Sequence, residues 1–363
     1  MGTNIYREDI TMLRSVPLVS ILIPNYNHSR YLDKCIQSAL NQTYSNIEIT
    51  LLDNCSTDDS LEVVEKYIKD GVRICRNQFN IMNISYKLLA NQFCTGKYFI
   101  LLCADDYLLP EFIGAAVAIM EKYSSVGYVH GEKDFVTDMD EVIELDPFYK
   151  CSFVAPGHNI MPIYMVTTVA HPAQGLIRRE AFYQIEGYEM EIDHMNADRS
   201  LWFYLSYYYD AAYIRNKMCR IRVGAQTETV ITQQNFQHPI LCHLTINDYV
   251  KYAKMKNLPL VYKREEEAIN RLAVEFIGYA GGMLYIEDKI TAKAYLDYAR
   301  ILNRDIVENK LFQKYTKMLV TGNVDKEYIK VLHNVNYQHK RNYEPPEGYE
   351  EITIEEVLKN AKC

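Results

Sequence analysis

The sequence has 363 residues, of which 48% are hydrophobic and 24% are charged, and its formal net charge at pH 7 is −8. This length is enough for one large globular domain or two of ordinary size. The acidic balance argues against a nucleic-acid-binding protein, which presents a basic surface. The nine cysteines are scattered without a C-x-x-C pair, a pattern typical of free thiols in a reducing compartment.

Residues 1–17 contain no apolar signal-peptide core, and no apolar segment reaches the roughly 20 residues that a membrane span requires. We therefore expect a soluble, cytoplasmic protein. Peripheral contact with the inner face of a membrane stays open, because a lipid-linked substrate does not require a spanning helix.

The first third of the chain alternates between apolar runs and segments with helical spacing. The predicted strands are residues 18–23, 47–52, 72–75 and 98–103, and the predicted helices begin near residues 29, 57, 85 and 110. Uninterrupted apolar runs indicate strands that are buried on both faces. Their alternation with helices predicts βαβ units and a parallel sheet.

Polar residues follow three of these strands, at Pro24–Asn27, Asp53–Asn54 and Asp105–Asp106. In open α/β sheets, the carboxyl ends of the strands form the ligand-binding edge. Two adjacent carboxylates repel each other, and a divalent cation such as Mg²⁺ or Mn²⁺ could bridge them to a phosphate. The alternative interpretation of Asp105–Asp106 is a solvated turn that caps the next helix.

Beyond Met120 the pattern changes. A strand is predicted at 126–130, irregular structure over 131–170, a helix beginning near Asp198, a strand pair at 213–214 and 218–223, and mostly helices from residue 238, with a last short helix at 354–361. The predicted organisation is a lead-in at 1–16, an α/β domain at 17–237 and a C-terminal helical region at 238–363.

Six spaced motifs in the first roughly 225 positions resemble the family 2 glycosyltransferases. They are Val19–Asn27, Glu48–Ser60, Gly96–Asp106, Gly187–Tyr188, Ala197–Asp198 and Arg220–Val223, in that order. Each motif is weak alone, but the ordered set is highly specific. The resemblance implies an α/β fold of the GT-A type: a Rossmann-like nucleotide-sugar-binding domain with a mainly parallel central sheet, followed here by a C-terminal α-helical region.

The resemblance also implies a donor site for a nucleotide-sugar. Pro24, Tyr26, Asp53 and Asn54 would line the base pocket. Asn27, at the end of the first motif, is predicted to bind the nucleotide-sugar as well. Asp105 would lie near the ribose and Asp106 would bind Mn²⁺ or Mg²⁺. Lys87 would face a phosphate or the base; alternatively, it is an exposed helix lysine without a role.

On the acceptor side, Asp198 matches the family's catalytic base, which takes a proton from the attacking hydroxyl. The alternative is that Asp198 only caps the helix it begins. His171 lies where relatives place acceptor-side residues, although a single histidine is often structural. Trp202 is a second acceptor-side candidate, and its helical spacing favours a place in the helix core.

Three positions depart from the family pattern. Asn54 stands where relatives often have Asp, which makes the base preference less certain because an amide both donates and accepts. Ala197 precedes the predicted base where many relatives have Glu, and Gly224 follows Arg222–Val223 where some carry a metal-binding His. Asp106 is then the one firm protein ligand, and we expect weak, exchangeable metal binding.

These observations predict an inverting glycosyltransferase that moves a sugar from a nucleotide donor, a UDP-sugar by first choice, to a hydroxyl of a glycan, a lipid-linked intermediate or a protein. Bacterial surface polysaccharide or glycoconjugate synthesis is the expected setting. One alternative is a non-catalytic assembly module. The other is a sugar nucleotidyltransferase, which the segment Pro24–Asn27 disfavours because it lacks glycines and cations. The C-terminal helices could pack on the α/β domain, form a homodimer or hold the acceptor, and we favour the first two.

Overall fold

The computed structural model describes residues 16–81, 86–167, 170–185, 197–224, 228–337 and 343–361. Over these residues the strands form one large mixed sheet in the order β11-β8-β10-β6-β9-β4-β1-β2-β3. The strands are β1 Val19–Asn25, β2 Ile47–Asp53, β3 Arg73–Arg76, β4 Tyr98–Leu101, β5 Tyr107–Leu108, β6 Val126–Val136, β7 Val142–Ile143, β8 Phe153–Ala155, β9 Gly175–Arg178, β10 Asp210–Arg222 and β11 Glu350–Glu351.

The first half of the sheet is parallel, as the alternating pattern predicts. β1 lies between β2 and β4 and is parallel to both, and β3 extends the parallel set beyond β2. Successive side chains of β1 enter two different cores, with Ile21 and Ile23 on one face and Leu22 on the other. Burial on both faces explains why these strands are apolar without alternation.

The second half of the sheet differs from the prediction. The segment predicted as irregular contains the continuation of β6 to Val136, the short strands β7 and β8 and a helix at Gly157–Val166. The two short strands predicted at 213–223 are one strand, β10, which runs parallel to β6 with register shifts between Ile214 and Cys219. The continuation of β6 was not predicted because it contains polar residues, which interrupt the apolar run although they are buried.

Helices cover both faces of the sheet and form most of the region after residue 228. They are α1 Ser29–Leu40, α2 Ser60–Glu65, α3 Tyr86–Phe93, α4 Phe112–Lys122, α5 Gly157–Val166, α6 Arg179–Gln184, α7 Ala197–Tyr208, α8 Glu228–Gln234, α9 Gln237–Met255, α10 Pro259–Tyr262, α11 Glu265–Tyr285, α12 Lys289–Leu302, α13 Lys310–Thr321, α14 Lys326–Tyr337 and α15 Ile354–Ala361, with 3₁₀ turns at Ile68–Asp70, Pro172–Gln174 and Arg304–Glu308.

The helices after residue 228 pack on the α/β domain. The stacked rings of Phe203 on α7 and Tyr249 on α9 lie 3.9 Å apart between centroids. Arg264 donates to the carbonyl oxygen of Pro162 on α5 at 2.6 Å. Buried side chains of α7, α9 and α11 belong to one continuous core. Of the roles considered for these helices, packing on the α/β domain is the one that the structure shows.

Residues 343–361 return to the α/β domain after the helical region, which the sequence did not predict. β11 pairs antiparallel with β8, and the N–H of Ile352 donates to the carbonyl oxygen of Ser152 at 3.0 Å. α15 lies against α4, where Ile354 and Val357 are buried. We call residues 343–361 the return segment; it places the helices from α8 to α14 between two parts of the chain that contact the same sheet.

The return segment should contribute to the stability of the α/β domain. Replacing buried Ile354 with Ala should lower the free energy of unfolding by about 2–3 kcal/mol, because it removes apolar contacts with the α4 side of the core. Urea unfolding followed by fluorescence of Trp202, the one tryptophan of the sequence, measures this change. The exposed neighbour Glu355→Ala is the control, and equal midpoints for the two variants would contradict the packing of α15.

Candidate functional site

The parallel register brings the polar ends of β1, β2 and β4 to one edge of the sheet. Asn25 at the end of β1 lies beside Asp53 at the end of β2. The Nδ2 of Asn25 donates to Oδ1 of Asp53 and to Oγ of Ser56, each at 3.1 Å. The segment Leu102–Asp106 leaves β4 on the other side of β1, with the N–H of Leu102 bonded to the carbonyl oxygen of Leu22 at 2.9 Å. The three predicted polar segments therefore lie at one edge of the sheet.

The residues after β1 form a tight loop against the loop that follows β2. Asn27 has a positive φ of 56°, and its side-chain oxygen accepts a hydrogen bond from the N–H of Thr57 at 2.8 Å. Its own N–H donates to Oγ of Ser56 at 3.0 Å. Pro24 is half-buried, whereas Tyr26 is exposed at the sheet edge. Asn27 thus shapes the loop, and Tyr26 is the residue of this motif whose ring is open to a ligand.

Asp53 and Asn54 are buried beneath the edge. Asp53 accepts a hydrogen bond from the N–H of Ser56 at 3.1 Å, and its Oδ2 lies 3.4 Å from Nε of Arg76. The side chain of Asn54 makes four hydrogen bonds. Its Nδ2 donates to Oδ1 of Asn80 and to the carbonyl oxygen of Ile81, and its Oδ1 accepts from Nδ2 of Asn77 and from the N–H of Ile81. The amide of Asn54 therefore holds segment 77–81 against the sheet edge.

Asp105 and Asp106 follow β4 in a turn closed by the N–H of Asp106, which bonds the carbonyl oxygen of Cys103 at 3.0 Å. Burial and the negative charge of Asp105 raise the pKa of Asp106 well above its usual range, against the N–H of Arg222 that donates to its Oδ1 at 2.8 Å. Burial, followed by the charges of Asp106 and Asp105, likewise raises the pKa of the Cys103 thiol. The turn therefore places the buried carboxyl of Asp106 beside two half-buried acidic groups.

The donor atoms of this turn fit a divalent cation. Cys103, Asp105 and Asp106 each offer one ligand atom, and the three atoms lie within 4.8 Å of one another. The carboxylate oxygens are the ligands that Mg²⁺ and Mn²⁺ prefer. The unfavourable proximity of the two carboxylates is the feature that a bound cation would relieve.

Asp198 lies in the first turn of α7 and is half-buried. Burial raises its pKa to about 6, and the N–H of Arg199 and the positive charges of Arg199 and Lys133 act in the opposite direction. The negative charge of Asp198 also contributes to the raised pKa of Cys103, so Asp198 and the Asp105–Asp106 turn share one electrostatic environment. A carboxyl with a pKa near 6 is well suited to accept a proton near neutral pH.

His171 caps the 3₁₀ turn Pro172–Gln174, and its N–H donates to Oε1 of Gln174 at 2.9 Å. Gln174 is buried and also accepts from Nζ of Lys133 at 3.0 Å and donates to the carbonyl oxygen of Gly131 at 2.7 Å. Sequence reasoning missed Gln174 and Lys133, because both lie within or beside segments without a recognisable pattern. Gln174 therefore links β6 to the 3₁₀ turn at whose start His171 lies.

Trp202 does not offer a surface for an acceptor sugar, which corrects the prediction that it lies on the acceptor side. Its side chain is fully buried, and its Nε1 donates to the carbonyl oxygen of Ala170 at 3.1 Å. The indole packs so closely on Gly175 that a Cβ there would lie 2.2 Å from the ring. Trp202 is a core residue that fixes α7 against β9.

Three further predictions lie partly or wholly outside the described residues. Lys87 is on α3, but its side chain is not among those described, and Gly187–Tyr188 are outside the described ranges. The lead-in predicted at 1–16 is described only at Val16. Among the helices of the described ranges, none combines the length and apolar character needed to cross a bilayer.

Comparison with known proteins matches the first half of the chain to one family. Residues 20–185 match the model of glycosyl transferase family 2. A UDP-Glc:alpha-D-GlcNAc-diphosphoundecaprenol beta-1,3-glucosyltransferase of Escherichia coli is 37% identical over 123 residues, which are 33% of this chain and 49% of the relative. A chondroitin synthase of Escherichia coli is 36% identical over 119 residues, 32% of this chain and 17% of the relative. The chain thus spans less than half the length of these two relatives.

The fold agrees with that of a solved structure. The crystal structure of TarS residues 1–349 from S. aureus, in complex with UDP-GlcNAc, superposes with a TM-score of 0.53. The superposition covers 89% of this chain and 93% of that chain at 15% identity, so the likeness is one of fold. This chain has the GT-A fold, and its residues 20–185 match glycosyl transferase family 2.

Proposed function

We propose that this protein is an inverting, metal-dependent glycosyltransferase. Its donor is a nucleotide-diphosphate sugar, with a UDP-sugar as first choice, and its acceptor is a hydroxyl of a glycan, lipid-linked or protein substrate in bacterial surface polysaccharide or glycoconjugate synthesis. The observation that carries the proposal is the shared environment of the Asp105–Asp106 turn and Asp198, whose pKa is raised to about 6.

The proposed reaction uses one base. The acceptor hydroxyl oxygen attacks the anomeric carbon, the bond from this carbon to the phosphate oxygen breaks, and the nucleoside diphosphate leaves with the bonding electron pair. Asp198 accepts the hydroxyl proton. Direct displacement from the opposite side inverts the anomeric configuration, and it needs no second carboxylate to form a covalent intermediate.

Asp105 and Asp106 would hold the divalent cation, with Asp106 as the principal ligand and Asp105 beside the ribose. A bound Mn²⁺ or Mg²⁺ supplies Lewis-acid stabilisation of the negative charge on the leaving diphosphate. Cys103 lies close enough to contribute a third, softer ligand atom. Direct protein ligation would then be sparse, and we expect the ion to exchange readily.

The base pocket is proposed at the ends of β1 and β2. Tyr26 is the exposed aromatic ring there. The buried side chains of Asn54 and Asp53 support the pocket by fixing segment 77–81 and the loop at Ser56, respectively. Binding of UDP-GlcNAc by a protein of the same fold supports a uridine nucleotide as the first candidate. Lys87 remains a candidate for the phosphates, and His171 for the acceptor.

The acceptor proposal is supported by the curated relatives. One is named for transfer to a diphosphoundecaprenol-linked sugar and another as a synthase of the polysaccharide chondroitin. A lipid-linked or polysaccharide acceptor would bring the protein to the inner face of the membrane without a spanning helix.

Binding of a nucleoside diphosphate should raise the melting temperature in the presence of Mn²⁺. A ligand at about one hundred times its Kd stabilises the native state by roughly 2.7 kcal/mol, a rise of several degrees. Thermal unfolding with UDP, GDP, CDP, ADP and dTDP, each with Mn²⁺ and with EDTA, identifies the base. Absence of a shift with every nucleotide would contradict the donor site.

Asp106→Asn should raise the melting temperature of the metal-free protein and reduce its stabilisation by UDP with Mn²⁺. Without metal it should melt at a higher temperature than the wild type, because it removes a buried negative charge beside Asp105. With UDP it should lose the Mn²⁺-dependent part of the shift, because the principal ligand is gone. Differential scanning fluorimetry measures both, with exposed Asp70→Asn as control. A variant that keeps the full Mn²⁺ shift would exclude Asp106 as the principal ligand.

Asp198→Asn should reduce kcat by about 10²-fold or more while leaving nucleotide binding intact. In the wild type, kcat should fall as the pH is lowered through about 6, because protonated Asp198 cannot accept the hydroxyl proton; the variant should lack this limb. Rates of sugar transfer between pH 5 and 8 provide the test. Asp248→Asn on α9, whose carboxyl also has a pKa raised by burial, is the control. Unchanged turnover in Asp198→Asn would favour a non-catalytic assembly module.

A further inference from the structure

Arg222, the last residue of β10, holds the Asp105–Asp106 turn at two points. Its backbone N–H donates to Oδ1 of Asp106 at 2.8 Å, and its Nε donates to the carbonyl oxygen of Asp105 at 3.0 Å. Only 2% of its side chain is exposed. One carboxylate oxygen of Asp106 and the backbone between the two acids are therefore fixed by a single residue from another strand.

The remaining nitrogens of the same guanidinium reach the turn between β6 and β7. One donates to the carbonyl oxygen of Thr137 at 2.5 Å and the other to Oδ1 of Asp140 at 2.7 Å. A guanidinium presents its donors in a rigid planar fork, which lets one side chain bond three separate acceptors. Arg222 thus connects the acidic turn to the β6–β7 turn.

The helix α1 closes this arrangement from a third side. The Tyr31 ring lies 4.0 Å from the Arg222 guanidinium carbon, and its hydroxyl donates to Oδ1 of Asp138 at 3.0 Å. Arg30 donates to the carbonyl oxygen of Asp138 at 2.7 Å. The Arg222 side chain is therefore packed between an aromatic ring and two turns, which leaves it little freedom to move away from Asp105.

We propose that Arg222 is a positioning residue of the cation site: it aligns the two carboxylates before a ligand arrives, by tying their turn to β10, to the β6–β7 turn and to α1. The inference rests on the proposed function of the Asp105–Asp106 turn. Adjacent carboxylates that repel each other would otherwise rotate or spread apart, and realigning them would reduce the affinity for metal. Residues that orient metal ligands through hydrogen bonds change metal affinity by about 10–100-fold when they are replaced.

Arg220 provides a matched control on the same strand. It lies two residues before Arg222, and its guanidinium pairs with the buried carboxylate of Asp134 at 2.6 Å. Its side chain is also mostly buried, with 18% exposed. Replacing either arginine with lysine keeps the positive charge and removes the planar fork, but only Arg222→Lys removes the Nε bond to the carbonyl oxygen of Asp105, while the backbone N–H that bonds Asp106 stays.

The experiment compares wild type, Arg222→Lys and Arg220→Lys by thermal unfolding at a fixed concentration of UDP and increasing Mn²⁺. The melting temperature in EDTA reports structural damage, and the Mn²⁺ concentration at half-maximal shift reports metal affinity. We expect Arg222→Lys to raise the half-maximal concentration by about 10-fold or more, whereas Arg220→Lys should stay within about twofold of the wild type.

Asp140→Asn covers the case in which Arg222→Lys does not fold. Asp140 is about half exposed, at 51% of its side chain, so its replacement should leave the fold intact. It weakens one bond of the guanidinium and should raise the half-maximal Mn²⁺ concentration at least roughly threefold. The neighbouring exposed Glu141→Gln is its control.

The outcomes separate the inference from the proposed function. If the wild type responds to Mn²⁺ and UDP but both arginine variants shift the half-maximal concentration equally, or only the melting temperature in EDTA changes, Arg222 has a purely structural role and the inference is wrong. If the wild type does not respond to Mn²⁺ with any nucleotide, the proposed donor site is wrong and the inference falls with it. A selective loss of Mn²⁺ affinity in Arg222→Lys supports both.

Discussion

The parallel pairing of β1 with β2 and with β4 decides where the acidic turn and the two asparagine-containing loops lie. Because the three strands run in one direction, the chain leaves each of them at the same edge of the sheet. The pairing of Asn25 with Asp53 joins two of the three exits, and the turn at Asp105–Asp106 begins at the third. Residues that lie about 80 positions apart in the sequence thus reach the same edge of the sheet, which is the ligand-binding edge of open α/β sheets.

This part of the fold could be predicted because its signals are local. The strands are apolar runs that need no partner to be recognised, and each ends in residues that cannot continue a buried strand. The position of Asp105–Asp106 followed from these signals. The contacts of the other residues depended on distant partners: the amide of Asn54, a residue predicted to line the base pocket, holds residues 77–81, which no periodic pattern marks.

The second half of the sheet shows the limit of sequence patterns more clearly. β6 carries Glu132, Lys133 and Asp134 in succession, and all three are buried. Charged residues indicate a surface segment unless their partners are known. Asp134 is neutralised by Lys217 and Arg220 on β10, more than eighty residues later in the chain. The strand is therefore stabilised by pairing that is invisible until the two segments are placed side by side.

Asp105 and Asp106 are adjacent acids, the charge of Asp198 also acts on neighbouring Cys103, and burial raises the pKa of Asp106 and of Asp198. Such an arrangement lowers the stability of the protein without ligand, as functional sites often do. The energetic cost is carried by the surrounding framework, in which Arg222, Tyr31 and Asp138 connect three separate elements. Rigid support and local electrostatic strain thus occur in neighbouring residues.

The return segment also has a consequence for the order of events during synthesis. α4 ends at Lys122, whereas its partner α15 begins at Ile354. At a translation rate of about 5–20 residues per second, roughly 10–50 s separate the emergence of the two helices from the ribosome. Throughout this interval, the apolar surface of α4 lacks the cover that α15 provides in the folded protein. The nascent α/β domain can acquire its central strands early, but it can complete its outer layer only after the whole helical region has been made.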